Sequence, residues 1–248
     1  MNSAMPSLNV LIVGASRGLG LARASAMLED GHRVFGVSRG ANPPEELAAD
    51  ARSGSLSWIG ADFSDPRGAA ASIAEALPPT LDVIFYNLGI WEETAFSEEY
   101  DFLGSGAEEV EALVTANVTG PLLLLHRLLP SLLASSHPRV ILTGSTSGVP
   151  RSGRPEVAFG ASKFALTGIA DALREGYRQH RLSVSVLQLG FLNTEDPLSV
   201  PVEEAAARGA GTLIPVHDVV EVVRTMMRLS PASFVRELVL PAILDERF

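Results

Sequence analysis

Seven residues near the N-terminus, Gly14-Ala15-Ser16-Arg17-Gly18-Leu19-Gly20, have the makings of a phosphate cradle. Gly14 can take a tight turn out of a strand. Gly18 removes a side chain where backbone must approach a pyrophosphate, and Gly20 lets a following helix pack close. The first turn of that helix would offer free N–H groups to an anion. A second signal is Ser38-Arg39, at the end of the next apolar run. Sites for NAD place an acidic residue there to accept from the ribose 2′-OH. Arg39, with Arg17 on the loop, instead offers guanidinium forks to a 2′-phosphate, which predicts NADP(H). Further on, Phe159 and Lys163 stand four apart, so on a helix they share a face. Ser145 closes a strand-like run and can share that site.

These groups need a scaffold that brings distant strand ends together. Leu8 to Val13 reads as a buried strand, followed by a helix over Gly18 to Asp30 that Gly31 stops. Strands are predicted at Arg33–Ser38, Ser55–Ala61, Leu81–Tyr86, Arg139–Thr143, Ser183–Leu189 and Glu237–Leu240. Helices are predicted at Pro43–Arg52, Pro66–Leu77, Ala107–Leu133, Glu156–His180 and His217–Leu229, with a loop from Gly190 to Thr212. This alternation predicts an α/β fold: a Rossmann-type, doubly wound parallel sheet of about seven strands, with helices on both faces in three αβα layers. Chemistry then belongs at the carboxyl ends of the strands.

Composition narrows the partners. A chain of 248 residues with 46% hydrophobic content fills one core, and no linker or repeat divides it, so residues 1–248 read as one domain. Residues 1–7 read as a disordered or tag-derived N-terminus, and 190–212 as a substrate loop. A net charge of −10 disfavours nucleic acid. The chain has no cysteine and shows no histidine–carboxylate spacing for a metal, so thiolate catalysis is excluded and no metal site is expected. Leu122 to Leu133 is interrupted by His126, Arg127 and Pro130, too short and polar to span a bilayer. A cytoplasmic protein without a membrane partner is expected. Trp91, Phe96, Phe102 and the segment Phe191 to Gly211 suggest an apolar pocket.

In order along the chain, the motifs resemble those of the short-chain dehydrogenase/reductase family over essentially the whole length. The glycine spacing G-x-x-x-G-x-G resembles the family's cofactor loop. Asp62 in Gly60-Ala61-Asp62-Phe63 matches its adenine-contacting acid, and Asn87-Leu88-Gly89 the end of its N-N-A-G motif, with Tyr86 and Leu88 replacing Asn and Ala. Asn117 matches the helix asparagine that supports a water relay, Ser145 the catalytic serine, and Lys163 the lysine of Y-x-x-x-K. Gly190 and Thr194 resemble the closing P-G-x-x-x-T segment, with Leu189 in place of Pro. The resemblance implies cofactor contacts at Gly14, Ser16, Arg17, Gly18, Leu19, Gly20, Ser38, Arg39, Asp62, Phe63, Asn87, Gly89, Lys163, Gly190 and Thr194. It implies catalytic positions at Asn117, Ser145, Phe159 and Lys163, and a homodimer or homotetramer formed through the two long helices.

At position 159 the family's tyrosine, which moves the proton, is replaced by phenylalanine. A deliberate Tyr-to-Phe change, a natural divergent member, and a proton-donating water held by Ser145 and Lys163 all fit this sequence. Tyr86, at a strand end, is the one other tyrosine to weigh as a replacement, and packing is its plainer role. The expected function is NADP(H)-dependent oxidoreduction of a small-molecule carbonyl or secondary alcohol, with proton transfer impaired or rerouted. A redox-silent NADP(H) sensor or scaffold, or a lyase, isomerase or cyclase on the same fold, is the alternative.

Overall fold

A computed structural model describes residues 6–246. Its strands are β1 (Asn9–Val13), β2 (Arg33–Ser38), β3 (Leu56–Gly60), β4 (Val83–Tyr86), β5 (Arg139–Thr143), β6 (Ser183–Leu189), β7 (Leu192–Asn193), β8 (Ile214–Pro215) and β9 (Glu237–Leu240). Its helices are α1 (Gly18–Glu29), α2 (Ala48–Ser53), α3 (Pro66–Ala76), α4 (Ala107–Val114), α5 (Gly120–Leu133), α6 (Val157–Gly176), α7 (Val202–Gly209) and α8 (Val216–Arg228). Most of the segment expected to be a disordered or tag-derived N-terminus lies outside the described residues. Ser7, which is described, donates from Oγ to the Gly31 carbonyl at 2.8 Å.

Seven strands pair in parallel in the order β3-β2-β1-β4-β5-β6-β9. The apolar runs behave as a sheet covered on both faces requires. Along β1, Val10 and Ile12 enter one core with Met27, Val219 and Val223. Leu11 and Val13 enter the other with Ile73, Leu124, Leu128 and Leu166. The strand order reverses between β1 and β4, so a crevice opens where their carboxyl ends part.

Three elements differ from the sequence expectation. Helix 107–133 runs through a π-helical turn at Thr115–Thr119, which inserts a wider ring and holds Asn117. Such turns recur at functional sites, and hydrophobic spacing carries no mark of one. The helix expected to reach His180 ends at Gly176. A short 3-10 turn over Arg178–His180 follows, and Arg181 adopts a left-handed backbone. The 190–212 segment is not simply a loop: it holds β7 and α7, the latter started by Pro201 and an alanine-rich run. Taken over its full 27 residues, helix 107–133 is long and apolar enough to cross a membrane. In this fold Leu124, Leu125, Leu128 and Leu132 bury against the sheet.

Candidate active site

Three loops converge at the crevice. The backbone N–H groups of Gly14 and Ala15 both donate to Val37 O at 3.0 Å, pinning the first loop to β2. A Cβ at Gly20 would stand 1.8 Å from Gly14 O, so only glycine lets α1 start this close to β1. Gly18 has φ +53 and lies against Thr194, whose Cβ would be 3.1 Å from a side chain there. The phosphate loop and the segment after β6, 176 positions apart from Gly18 to Thr194 (194 − 18), thus meet. The start of α1 has no side-chain cap, which leaves its amides for a ligand.

Gly20→Ala should therefore force the loop away from β1. The expected loss is ~1–3 kcal/mol, at about 2–4 °C per kcal/mol for a chain of this size. Thermal melting with and without NADPH reads both the loss and the missing ligand-induced stabilisation. An unchanged melt with intact ligand response would mean that the loop is not built as described.

Arg17 and Arg39 are exposed, and neither enters an ion pair among the described residues. Ser38 Oγ donates to Gly40 O at 3.0 Å, and the Trp58 indole N–H donates to the same carbonyl at 3.0 Å. Asp62 is exposed and accepts from Ser64 N at 2.9 Å. The Phe63 ring is buried, edge-on to Tyr86 at 5.7 Å, so only its backbone is left for a cofactor. Leu19 is likewise buried in the core.

Around Lys163 the predicted groups come together. It is the chain's only lysine, one of nineteen basic residues, and is 5% exposed. Its Nζ donates to Thr143 O at 3.1 Å and stands 5.4 Å from the centre of the Phe159 ring. Gly89 and Gly148 make room for it, since a Cβ at either would approach the side chain to 2.9 Å. Burial pulls its pKa down to about 8. The Ser145 hydroxyl accepts from Ser147 N at 3.1 Å, which leaves its own proton free to donate. The Ser145 amide donates to Gln188 Oε1 at 3.0 Å. Asn117 spends both amide protons, on Ile90 O at 2.7 Å and Ser162 Oγ at 3.0 Å, and accepts from Ile90 N at 2.9 Å. It bolts the loop after β4 to α6. A water relay would have to use its backbone.

A family model described as short chain dehydrogenase matches residues 8–200. The chain belongs to the short-chain dehydrogenase family. A 3-oxoacyl-acyl-carrier-protein reductase of Mycobacterium tuberculosis is 25% identical over 242 residues, covering 95% of this chain and 91% of that one. The rhamnolipid-biosynthesis 3-oxoacyl-acyl-carrier-protein reductase of Pseudomonas aeruginosa is 34% identical over 188 residues, 73% of this chain and 71% of its own. A metagenomic short-chain oxidoreductase solved with NADP superposes with a TM-score of 0.74 at 25% identity, covering 96% and 99% of the two chains.

In this member of the short-chain dehydrogenase family the wall around position 159 is aromatic. Phe159 is buried and packs edge-to-face with Phe96 at 5.2 Å and Trp91 at 6.4 Å. Phe96 in turn meets Phe191 edge-on at 5.5 Å. Phe96 holds φ +68, a conformation that a bulky side chain takes only under constraint. The constraint comes from the N-terminus of α6. Glu92 Oε1 accepts from Ala158 N (3.0 Å), Phe159 N (3.2 Å) and the Tyr100 hydroxyl (3.3 Å). Tyr100 accepts from Val157 N at 2.8 Å, and Glu156 accepts from Phe96 N at 3.2 Å. Glu92, Tyr100 and Glu156 were not legible as site residues, because they sit in or beside a loop without periodicity.

Two further findings complete the short-chain dehydrogenase site. Tyr86 is no replacement acid: it is buried, donates to Ala116 O at 2.9 Å, and burial pushes its pKa far above the ordinary value. Its packing role is the one observed. Arg23, unremarked in the sequence, is wholly buried in α1. It donates from Nη1 to Asn87 Oδ1 and to Thr143 Oγ1, the latter at 2.8 Å, so the Asn87 side chain is partly occupied from within the protein. A cavity of about 650 Å³ lies at the other end of the sheet, beside Arg139 and Ser183 at the starts of β5 and β6. It is no part of this site; its Arg174 and Arg236 pair with Asp171, and Arg178 with Glu175.

Proposed function

We propose that the protein is an NADP(H)-dependent reductase of apolar carbonyl compounds, or of the matching secondary alcohols in reverse, in which Lys163 supplies the proton that a tyrosine would otherwise carry. The observation that carries this reading is Lys163 itself: buried, held near pKa 8, and set beside a ring that has no proton to give. The uncapped start of α1, the Gly18–Thr194 approach and the unpaired Arg17 and Arg39 fit a phosphorylated dinucleotide. When bound, the reduced nicotinamide supplies a hydride to the carbonyl carbon. The oxygen then needs one proton. Ser145 has a free hydroxyl proton to orient that oxygen, and the Lys163 ammonium delivers the proton through a hydrogen-bonded water. A lysine brought near 8 by burial is well placed for this at neutral pH.

The wall of Trp91, Phe96, Phe159 and Phe191 supports a substrate with an apolar or aromatic body next to its carbonyl. Exposed Val114, Leu122, Val157 and Phe164 on helix 107–133 and on α6 support self-association into a dimer or tetramer. The test is mixing with excess NADPH and a panel of apolar ketones, aromatic aldehydes and a 3-oxoacyl thioester, following loss of the reduced nicotinamide absorbance. Bound NADPH that no panel member oxidises would favour the redox-silent reading.

Cofactor choice is a separate prediction. If Arg39 grips the 2′-phosphate, NADPH binds more tightly than NADH, and Arg39→Asp removes a charge-assisted contact worth ~1.5–3 kcal/mol. Calorimetry should show that gap narrowing or reversing. Equal affinities for the two cofactors in the unsubstituted protein would defeat the assignment.

A further inference from the structure

Arg23 is the buried group that the reaction above leaves unused. It lies in the second turn of α1 with 0% exposure. Only Nη1 has partners, Asn87 Oδ1 and Thr143 Oγ1, while Nε and Nη2 have none among the described residues. Its guanidinium lies over the Phe85 ring at 5.3 Å. No carboxylate pairs with it among the described residues, and burial alone lowers its pKa, to about 9, which leaves it a cation at neutral pH. An unpaired buried charge is among the costliest features a core can hold.

Its position gives the charge a target. Asn87 follows β4 and Thr143 ends β5, both at the carboxyl edge of the sheet. The Thr143 backbone carbonyl holds Lys163 Nζ, while the Thr143 hydroxyl holds Arg23. Arg23 is thus one residue removed from the proposed hydride-transfer site. In a water-poor interior its field reaches that site with little screening.

We propose that Arg23 selects the oxidation state of the cofactor, favouring the reduced, uncharged nicotinamide over the oxidised, cationic one. This rests on reading Ser145 and Lys163 as the place where the nicotinamide reacts. Two like charges on the order of 10 Å apart at an effective dielectric near 20 repel by enough for a preference of about tenfold, which sets the scale of the expected effect. A phosphate-binding arginine would act differently, strengthening oxidised and reduced cofactor alike.

Calorimetry on the full chain at pH 7 separates these roles, with NADPH, NADP+ and 2′-phospho-ADP-ribose, which lacks the nicotinamide. The unsubstituted protein should prefer NADPH over NADP+ by about tenfold or more. Arg23→Gln should lower that ratio by about tenfold, the Lys163 ammonium supplying whatever preference remains, and leave the nicotinamide-free ligand almost unchanged, while Arg23→Lys should keep the preference. An unchanged ratio in Arg23→Gln overturns the proposal although the cofactor reading stands, and so does equal weakening of all three ligands. Failure of the unsubstituted protein to bind any of them overturns both. Should Arg23→Gln misfold, Arg23→Leu, which places an apolar group in this core, carries the same comparison.

Discussion

Phe159→Tyr should raise kcat/KM for carbonyl reduction by about 10²-fold or more, the usual contribution of a positioned general acid. The substitution adds one hydroxyl to a ring whose centre lies 5.4 Å from Lys163 Nζ. An unperturbed phenol titrates near 10. Burial raises that value and the neighbouring ammonium lowers it, and the lowering is what would make the hydroxyl useful. Affinity for NADPH should stay nearly constant, because the ring faces Trp91 and Phe96 instead of the phosphate loop. The pH–rate profile should gain an ionisation. The measurement is kcat/KM for both forms on the same ketone and aldehyde panel, with NADPH binding checked separately. A tyrosine form that binds NADPH and is no faster on any of them would mean that position 159 has left the reaction path.

Lys163→Met tests the proton source and reports on stability as well. Reduction should fall by at least ~10²-fold. In the unsubstituted protein the rate should drop as pH rises through about 8, because the ammonium is the acid. The stability sign follows from the direction of the shift. The folded state holds this lysine at about 8, below its ordinary value of 10.5. Below 8 both states are protonated and the full burial penalty is present. Between 8 and 10.5 the unfolded chain binds a proton that the folded chain lacks, so stability rises with pH, by a total on the order of 3 kcal/mol. Methionine removes the titration but leaves Thr143 O without its donor, which costs ~1–3 kcal/mol in return. The diagnostic is the slope. Denaturant titrations across that pH range should show a rise in the unsubstituted protein that is missing from Lys163→Met. Parallel curves would mean that Lys163 is not held below its usual range.

The parts of the fold that repeat were legible. Seven apolar runs placed the seven sheet strands to within about two residues, because strands covered on both faces must be apolar throughout. The glycine loop was legible too, since Gly20 has no alternative at 1.8 Å from a carbonyl oxygen. What escaped was whatever depends on tertiary company. The π turn at Thr115–Thr119 interrupts no hydrophobic stripe, so 107–133 read as one regular helix. Arg23 is one charged residue among alanines on an otherwise ordinary helix, and only the packed structure reveals that it faces inward. Glu92 and Tyr100 serve α6 from a loop more than fifty residues upstream, a partnership no local pattern encodes. Tyr86 was a candidate acid by position alone, and its hydrogen bond to Ala116 O decided otherwise.

Because every basic side chain but one is an arginine, the molecule has almost no amine chemistry on its surface. Acylating reagents, whether metabolic thioesters or laboratory labels, find one side-chain amine, and it lies at the centre of the site between Thr143, Gly89 and Gly148. An adduct there is a single mass increment at a known position, formed only when the crevice admits the reagent. The buried lysine thus doubles as a gauge of opening: at 5% exposure its own packing shields it, and an adduct records that the loops carrying Gly89 and Gly148 have parted enough to admit a reagent.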